Sequence, residues 1–276
     1  MPAALEPSAA RDLEALRRSA WLDLLGWEER YAELRAAADA DLAWLDGWPR
    51  PRPMSWYSAG ADALNARGDA RYYLGERSGA LADYLASDRL LGEADARWPR
   101  RSAILARQMI SGYAIASARQ DAGLDDGLIA FGETLLRRGD MLLQLEPADE
   151  ALRRRHTVNR ELVAQILAGA GRHGQAVAQQ ERVVGERELL ARQQPGEPRL
   201  RRDLAFSRSV LGALNWNGGR RAQACAAWRS AAAGFAPLVR GGQLSVFDRE
   251  HSLAYVTRNV AICDGKRPAS DYRSPD

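Results

Sequence analysis

The chain has 276 residues, of which 46% are hydrophobic and 27% are charged, and its formal net charge is +3. This length allows one or two compact domains or one extended array of repeats, while the ample hydrophobic share and low net charge exclude a mostly disordered chain. Lys266 is the single lysine, so almost all of the 39 basic residues are arginines, a bias typical of GC-rich bacterial genomes.

The sequence predicts neither a secretory signal nor a membrane span. Acidic residues interrupt Met1–Trp27, where a signal peptide would have a basic start and an apolar run. The longest apolar stretch, 108–118, is far shorter than the ~20 residues that a bilayer requires. Cys225 and Cys263 are 38 residues apart without a CxxC motif, which disfavours zinc knuckles and disulfide frameworks. We therefore expect a reduced, cytoplasmic protein.

Good helix formers dominate the whole chain, and no segment shows the alternating pattern of a strand. About eleven helices are predicted, separated by turns that contain glycine, proline or Asp-Gly. In chain order, the turns fall near Gly26, 47–53, 75–79, 98–99, 123–126, 147–149, 171–174, 195–198, 218–219 and 241–242. This pattern predicts an all-α protein.

Four segments share a small residue that is followed, one helical turn later, by a large aromatic or polar residue. The pairs are Ala80 with Tyr84, Gly127 with Phe131, Ala176 with Gln180, and Ala224 with Trp228. Successive pairs are 47, 49 and 48 residues apart. Such regular spacing predicts a series of helical hairpins, each of which buries its apolar faces against its neighbours.

The last hairpin has the residue spacing of the tetratricopeptide repeat. In that repeat, the first helix (helix A) carries a leucine-glycine pair, and the second helix (helix B) carries an alanine, an aromatic residue and another alanine. The corresponding residues here are Leu211 and Gly212, followed by Ala224, Trp228 and Ala231. Segments 65–84 and 200–212 also resemble the C-terminal repeat regions of bacterial serine/threonine kinases and winged-helix regulators. The resemblance covers 42–233 and implies a right-handed superhelical solenoid of antiparallel helix hairpins, with long repeats of about 48 residues instead of about 34.

These expectations divide the chain into four parts. We predict a degenerate N-terminal helical pair in 1–53, the repeat array in 54–242, a C-terminal capping helix in 243–265 and a disordered tail in 266–276. Close crossing of two helices is expected at Gly212 and Ala224, where Trp228 fills the space beside them.

No motif predicts catalysis, a cofactor or a metal site. The segment 169–174 matches GxGxxG, but helical sequence precedes it, which indicates a turn between helices and not a dinucleotide site. The histidines lack the spacing of metal ligands, and helix capping explains Asp125 and Asp126. Protein-kinase motifs are absent from the sequence. We therefore predict that the protein is not an enzyme.

Arginine doublets and tryptophans give two further expectations. The doublets at 100–101, 154–155 and 201–202 precede helices, where cations oppose the helix dipole. Because acids are interspersed with them, we expect ion pairs within the chain and disfavour a nucleic-acid partner. Five of the eight tryptophans lie in the first fifth of the chain. They either belong to the core or form an exposed patch that docks another domain or makes a homo-oligomer.

In tetratricopeptide arrays the A helices line a concave groove, so the resemblance implies a protein or peptide partner bound there. The residues that this register assigns to the groove are Asn65, Asp69, Tyr72, Tyr73, Met109, Ile110, Tyr113, Glu161, Gln165, Trp216 and Asn217. Their amide, acidic and aromatic groups suit recognition of an extended peptide or helix.

We therefore predict a non-catalytic protein-interaction scaffold in bacterial signalling or regulation. Two alternatives remain open. A sensor or regulatory tail detached from a serine/threonine kinase or transcriptional regulator would have an exposed apolar N-terminal face. A small-ligand-binding receptor would instead have a closed cavity between its A helices.

Overall fold

The computed structural model describes residues 7–123 and 126–273, and within them the protein is helical with no strand. The α-helices, in chain order, are α1 Pro7–Trp27, α2 Tyr31–Asp46, α3 Met54–Tyr73, α4 Arg77–Arg97, α5 Ser102–Ala122, α6 Asp126–Leu145, α7 Glu150–Gly169, α8 His173–Gln193, α9 Pro198–Asn217, α10 Arg221–Arg240 and α11 Ala254–Cys263. A π-helix, Asp248–Leu253, precedes α11, and a 3₁₀ helix, Ala269–Asp271, follows it. The all-α prediction is confirmed. The predicted helix capping by Asp125 and Asp126 is not described, because Asp125 and the side chain of Asp126 lie outside the described part of the structure.

Glycine ends several of these helices, as the sequence predicts. Gly171 has φ +76° and Gly219 has φ +77°, in the left-handed region that glycine enters without a steric penalty. The next amide in each turn reaches back over the helix end, with Arg172 N donating to Leu167 O and Arg220 N to Asn215 O, both at 2.8 Å. The GxGxxG segment is therefore a turn between α7 and α8.

The chain divides into two compact units, Met1–Gly123 with Ala130–Leu152, and Leu124–Ile129 with Arg153–Asp276. In the first unit, α3 packs against α1, α2, α4 and α5. Tyr84 of α4 lies directly over Gly68 of α3, where an added Cβ would be 2.5 Å from the ring. The small residue in one helix thus allows the aromatic residue of the next to approach its backbone.

In the second unit, α9 packs against α8 and α10, and α10 packs against α11. The predicted close crossing is present, because the indole of Trp228 lies on Gly212 and leaves no room for a Cβ there. Its Nε1 donates to Ser209 O at 3.2 Å. Gln180, in the position corresponding to Trp228, is fully buried and donates from Nε2 to Ser207 O at 3.0 Å.

Ion pairs join alternate helices in each unit. Their partners are between 45 and 50 residues apart in sequence: Arg107 with Asp62, Arg138 with Asp88, Arg154 with Asp203, and Arg202 with Asp248. Arg154 and Arg202 belong to the arginine doublets. Pairing within the chain is therefore confirmed for these two residues.

The structure corrects the prediction for the cysteines. Cys225 of α10 and Cys263 at the end of α11 form a disulfide, with their Cα atoms 5.6 Å apart. Motif spacing did not reveal this pair because the two residues meet only when α11 folds back against α10. The expectation of a reduced compartment thereby loses its basis.

The C-terminal segment also differs from the expected disordered tail. Residues 266–273 are described, and Tyr272 packs against Trp216 and Trp228, with ring centroids 5.2 and 5.9 Å apart. This aromatic anchor compensates for the absence of apolar periodicity in the segment. The last three residues, 274–276, lie outside the described part.

Candidate functional site

A concave surface of the first unit is formed by α1, α2, α3 and α5 together with the α1–α2 turn. Its larger recess has a volume of about 590 Å³. The lining residues are Ser19, Leu22, Asp23, Gly26, Trp27, Glu29, Tyr31, Leu34, Asp62, Asn65, Ala66, Asp69, Tyr73 and Ile110. Trp27 is 87% exposed and Tyr73 63% exposed, so the walls themselves face solvent. The recess is therefore an open groove.

A smaller recess of about 190 Å³ shares Asp69 and Tyr73 with the larger one. Four of its lining residues are tyrosines, and the complete lining is Asp69, Tyr72, Tyr73, Tyr84, Tyr113, Ala114 and Ser117. Asp69, Tyr72 and Tyr73 share one face of α3 because they are three and four residues apart. We refer to these seven residues as the tyrosine recess.

Gly68 explains how α4 contributes to this recess. Because Tyr84 packs on the bare backbone at Gly68, its hydroxyl reaches the next residue of α3 and donates to Asp69 Oδ1 at 2.7 Å. Burial, followed by the nearby charge of Asp69, raises the pKa of Tyr84, so the phenol keeps its proton at neutral pH. Tyr84 therefore acts as a hydrogen-bond donor to Asp69.

Asp69 is a carboxylate at the junction of the two recesses. It is open to solvent on the groove side and surrounded by protein on its other sides, and this partial desolvation raises its pKa above the ordinary 3.8 despite the hydrogen bond from Tyr84. Among the described residues, no arginine, lysine or histidine pairs with it. The Tyr84 hydroxyl stabilises its negative charge by donating a hydrogen bond.

The surrounding groove is acidic as well. Asp23, Glu29 and Asp62 line the larger recess, and no described arginine or lysine lines either recess. Asp62 is neutralised by Arg107, whose Nε donates to Oδ1 at 2.8 Å. The described lining of the larger recess therefore contains acidic residues and no arginine or lysine.

Aromatic rings contribute another part of the wall. Tyr31 and Tyr73 stack with centroids 4.4 Å apart, which fixes the ring of Tyr73 at the edge shared by the recesses. The guanidinium of Arg77 lies 3.9 Å from the centroid of Tyr72 while pairing with Asp121 at 2.8 Å. One tyrosine that lines the recess thus already contacts a cation of the chain itself.

Six of the seven residues predicted for the groove in the first unit line these recesses: Asn65, Asp69, Tyr72, Tyr73, Ile110 and Tyr113. Asn65 is buried, and its Nδ2 donates to Ser111 Oγ of α5 at 3.0 Å. This hydrogen bond links α3 to α5 behind the groove surface. Met109 is buried in the core, whereas Ile110 lines the larger recess.

Two residues predicted for the groove in the second unit are structural instead. Glu161 is 5% exposed and pairs with Arg187 of α8 at 3.0 Å. Trp216 is 9% exposed because Tyr272 and Arg221 cover it, the guanidinium at 3.6 Å from its centroid. The helix register could not reveal these covering groups. Gln165 and Asn217 are exposed.

Sequence reasoning missed the contributions of Trp27, Glu29 and Tyr31 to the groove, and it assigned Tyr84 only to the hairpin core. These side chains come from the α1–α2 turn, the helix ends that flank it, and α4, all outside the helix A register. The turn at Gly26 was detectable, but the packing of α1 against α3 was not.

Comparison with known proteins gives no relative: no family model, curated protein or solved structure matches this chain. Within residues 7–123 and 126–273, no helix combines the length and apolar character needed to span a bilayer. In the same ranges, no cluster of three His, Cys, Asp or Glu residues could hold a metal ion.

Proposed function

We propose that the protein is a non-catalytic interaction scaffold, acting in bacterial signalling or regulation, that binds an extended peptide or a partner helix in the groove of the first unit. The observation that carries this proposal is the row of exposed aromatic side chains inside a concave surface. Tyr73 and Tyr113 are 63% and 39% exposed there. Aromatic residues in concave sites supply much of the binding energy in protein interfaces.

We also propose that the fold is a right-handed superhelical solenoid of the tetratricopeptide type, with repeats of about 48 residues. Two observations support it. Helices α3, α5, α7 and α9 begin at residues 54, 102, 150 and 198, at equal intervals. In addition, ion pairs join alternate helices at similar sequence separations. In such arrays the helices that line the concave face bind the partner.

Panning of a phage-displayed library of random peptides tests the binding function. We expect enriched peptides to bind the wild type and to lose at least tenfold in affinity on the Tyr73→Ala/Tyr113→Ala variant. The control is Phe247→Ala/Phe206→Ala, because these residues have nearly the same exposures, 62% and 39%, in the second unit. Failure to enrich any peptide, or equal losses on both variants, would refute the proposal.

One observation favours the regulatory-tail alternative. Helix α1 carries exposed apolar residues along its length: Leu13, Leu16, Trp21, Leu24 and Trp27. A contiguous apolar face of this kind marks a docking surface for another domain or for a second copy of the chain.

Sedimentation of wild type and of Leu13→Glu/Leu16→Glu measures self-association. A wild type that is monomeric at high concentration would exclude docking of a second copy. The open groove, by contrast, favours a peptide over an enclosed small ligand.

A further inference from the structure

We propose that the tyrosine recess is an aromatic cage for an organic cation, namely the side chain of an arginine or lysine in the bound peptide. The inference rests on the proposed binding function and specifies the chemistry of the partner. Four tyrosines and one carboxylate line the recess. Aromatic faces attract cations through their quadrupole, and a carboxylate adds a direct ion pair.

The volume of the recess agrees with such a ligand. Its volume of about 190 Å³ is roughly six times the volume that one water molecule occupies in liquid water. That space holds a guanidinium or ammonium group with the end of its methylene chain. The shared edge at Asp69 and Tyr73 then lets the remainder of a peptide continue into the larger, acidic recess.

The two arginines of α3 and one arginine at the start of α4 pair with carboxylates other than Asp69. On α3, Arg67 and Arg71 pair with Asp83 at 2.6 and 2.7 Å. At the start of α4, Arg77 pairs with Asp121. None of these three arginines pairs with Asp69, so its carboxylate, which is open to solvent on the groove side, is available to a cation in the recess. A partner supplies that cation.

The cage is tested first with a single side chain. We expect N-acetylarginine methylamide to shift the tyrosine ring signals in NMR titrations with a millimolar dissociation constant. The neutral citrulline analogue, which has nearly the same shape, should bind at least tenfold more weakly. N-acetyllysine methylamide shows whether the cage distinguishes guanidinium from ammonium.

Two variants locate the binding. Asp69→Asn keeps an oxygen acceptor for Tyr84 but removes the charge, and we expect it to weaken arginine binding at least fivefold. Asp12→Asn is the matched control, since it removes an equal charge from an exposed position of α1 outside both recesses. Tyr113→Ala removes one wall and should also weaken binding, while circular dichroism verifies that each variant is folded.

Equal binding of arginine and citrulline derivatives, or unchanged affinity in Asp69→Asn, would overturn the cage. A second experiment measures the affinity of the peptides enriched by panning, before and after each arginine is replaced by citrulline. Peptides that bind the groove without any dependence on arginine or lysine would leave the scaffold function intact and refute the cage. Arginine derivatives that bind while no peptide does would support the cage and refute the peptide-binding function.

Discussion

Asp69 is a residue whose surroundings favour its protonated form. Desolvation raises its pKa above 3.8, and the hydrogen bond from Tyr84 offsets only part of this effect. A carboxyl group with a raised pKa in the folded state binds its proton more tightly there than in the unfolded chain. Its contribution to stability is therefore complete below the ordinary pKa and is lost as pH rises through the raised value.

We expect Asp69→Asn to raise the melting temperature at pH 7 and to have little effect near pH 3, where Asp69 is protonated in both states. Because the open side of the carboxylate stays hydrated, the gain is small, on the order of 1 °C. Calorimetry between pH 3 and pH 7.5 at low salt measures the difference. Asp12→Asn should show no such dependence, and parallel curves for the two variants would contradict the argument.

Gly68 determines where the Tyr84 ring lies. A Cβ at this position would be 2.5 Å from a ring that is itself buried, so the clash is not relieved by movement into solvent. We expect Gly68→Ala to lower the free energy of unfolding by about 1–3 kcal/mol. Gly92 of α4 has no atom within 4 Å of an added Cβ, so Gly92→Ala should instead stabilise the helix by up to about 1 kcal/mol. Urea denaturation of both variants decides between overpacking and a general effect of alanine.

The Tyr84 position also shows what a sequence conveys at this scale. Its spacing from Ala80 correctly predicts a buried aromatic residue beside a small one. The hydrogen bond to Asp69 depends on the distance and rotation between α3 and α4, which the spacing within one helix does not contain. Hence the core role was predictable and the role in the recess was not.

At the scale of elements, a buried ion pair connects α7, α8 and α9. Glu161 of α7 and Arg187 of α8 are nearly inaccessible, and Arg187 also donates to Asp203 O of α9 at 3.0 Å and to the Ser207 hydroxyl. Burial is the main influence on Glu161 and raises its pKa, in opposition to the lowering by Arg187. The pair is therefore sensitive to loss of either partner.

We expect Arg187→Met to destabilise the protein by about 3–5 kcal/mol, because it leaves Glu161 buried without a counter-ion. The double variant Glu161→Leu/Arg187→Met should recover most of that loss, since neither charge remains. Chemical denaturation at neutral pH measures both. An additive double variant would show that the two residues act independently and would contradict a coupled pair.

The ends of the helices were the features that the sequence predicted best. Glycine and proline signals located the turns because they act through the local backbone, as at Gly171 and Gly219. The disulfide and the ordered Tyr272 segment were not predictable, because both depend on α11 and the following residues folding back on α10. Contacts of this kind depend on tertiary packing that no local pattern encodes.

At the scale of the whole molecule, helices in each unit make their main contacts with helices one or two places away in the chain. This holds for α3 in the first unit and for α9 and α10 in the second. In such architectures, stability is approximately a sum of local and nearest-neighbour contributions, so perturbations fade with distance along the array. The sequence predicted this arrangement from the spacing of its anchor pairs. It could not predict which part of the surface of the first unit would form an open groove.

The disulfide offers a direct test of this locality in the second unit. It closes a loop of 38 residues between α10 and the end of α11. By the chain-entropy argument, removal of the disulfide costs about 2–4 kcal/mol. For amides that open locally, this cost corresponds to hydrogen exchange that is faster by roughly 30-fold or more.

We expect reduction to accelerate hydrogen exchange most in α11, less in α10 and α9, and least in α8. Mass spectrometry of oxidised and reduced protein measures this gradient, and Cys225→Ser/Cys263→Ser controls for the reductant. A uniform acceleration from α8 to α11 would mean that the second unit opens as one cooperative body, contrary to the nearest-neighbour argument.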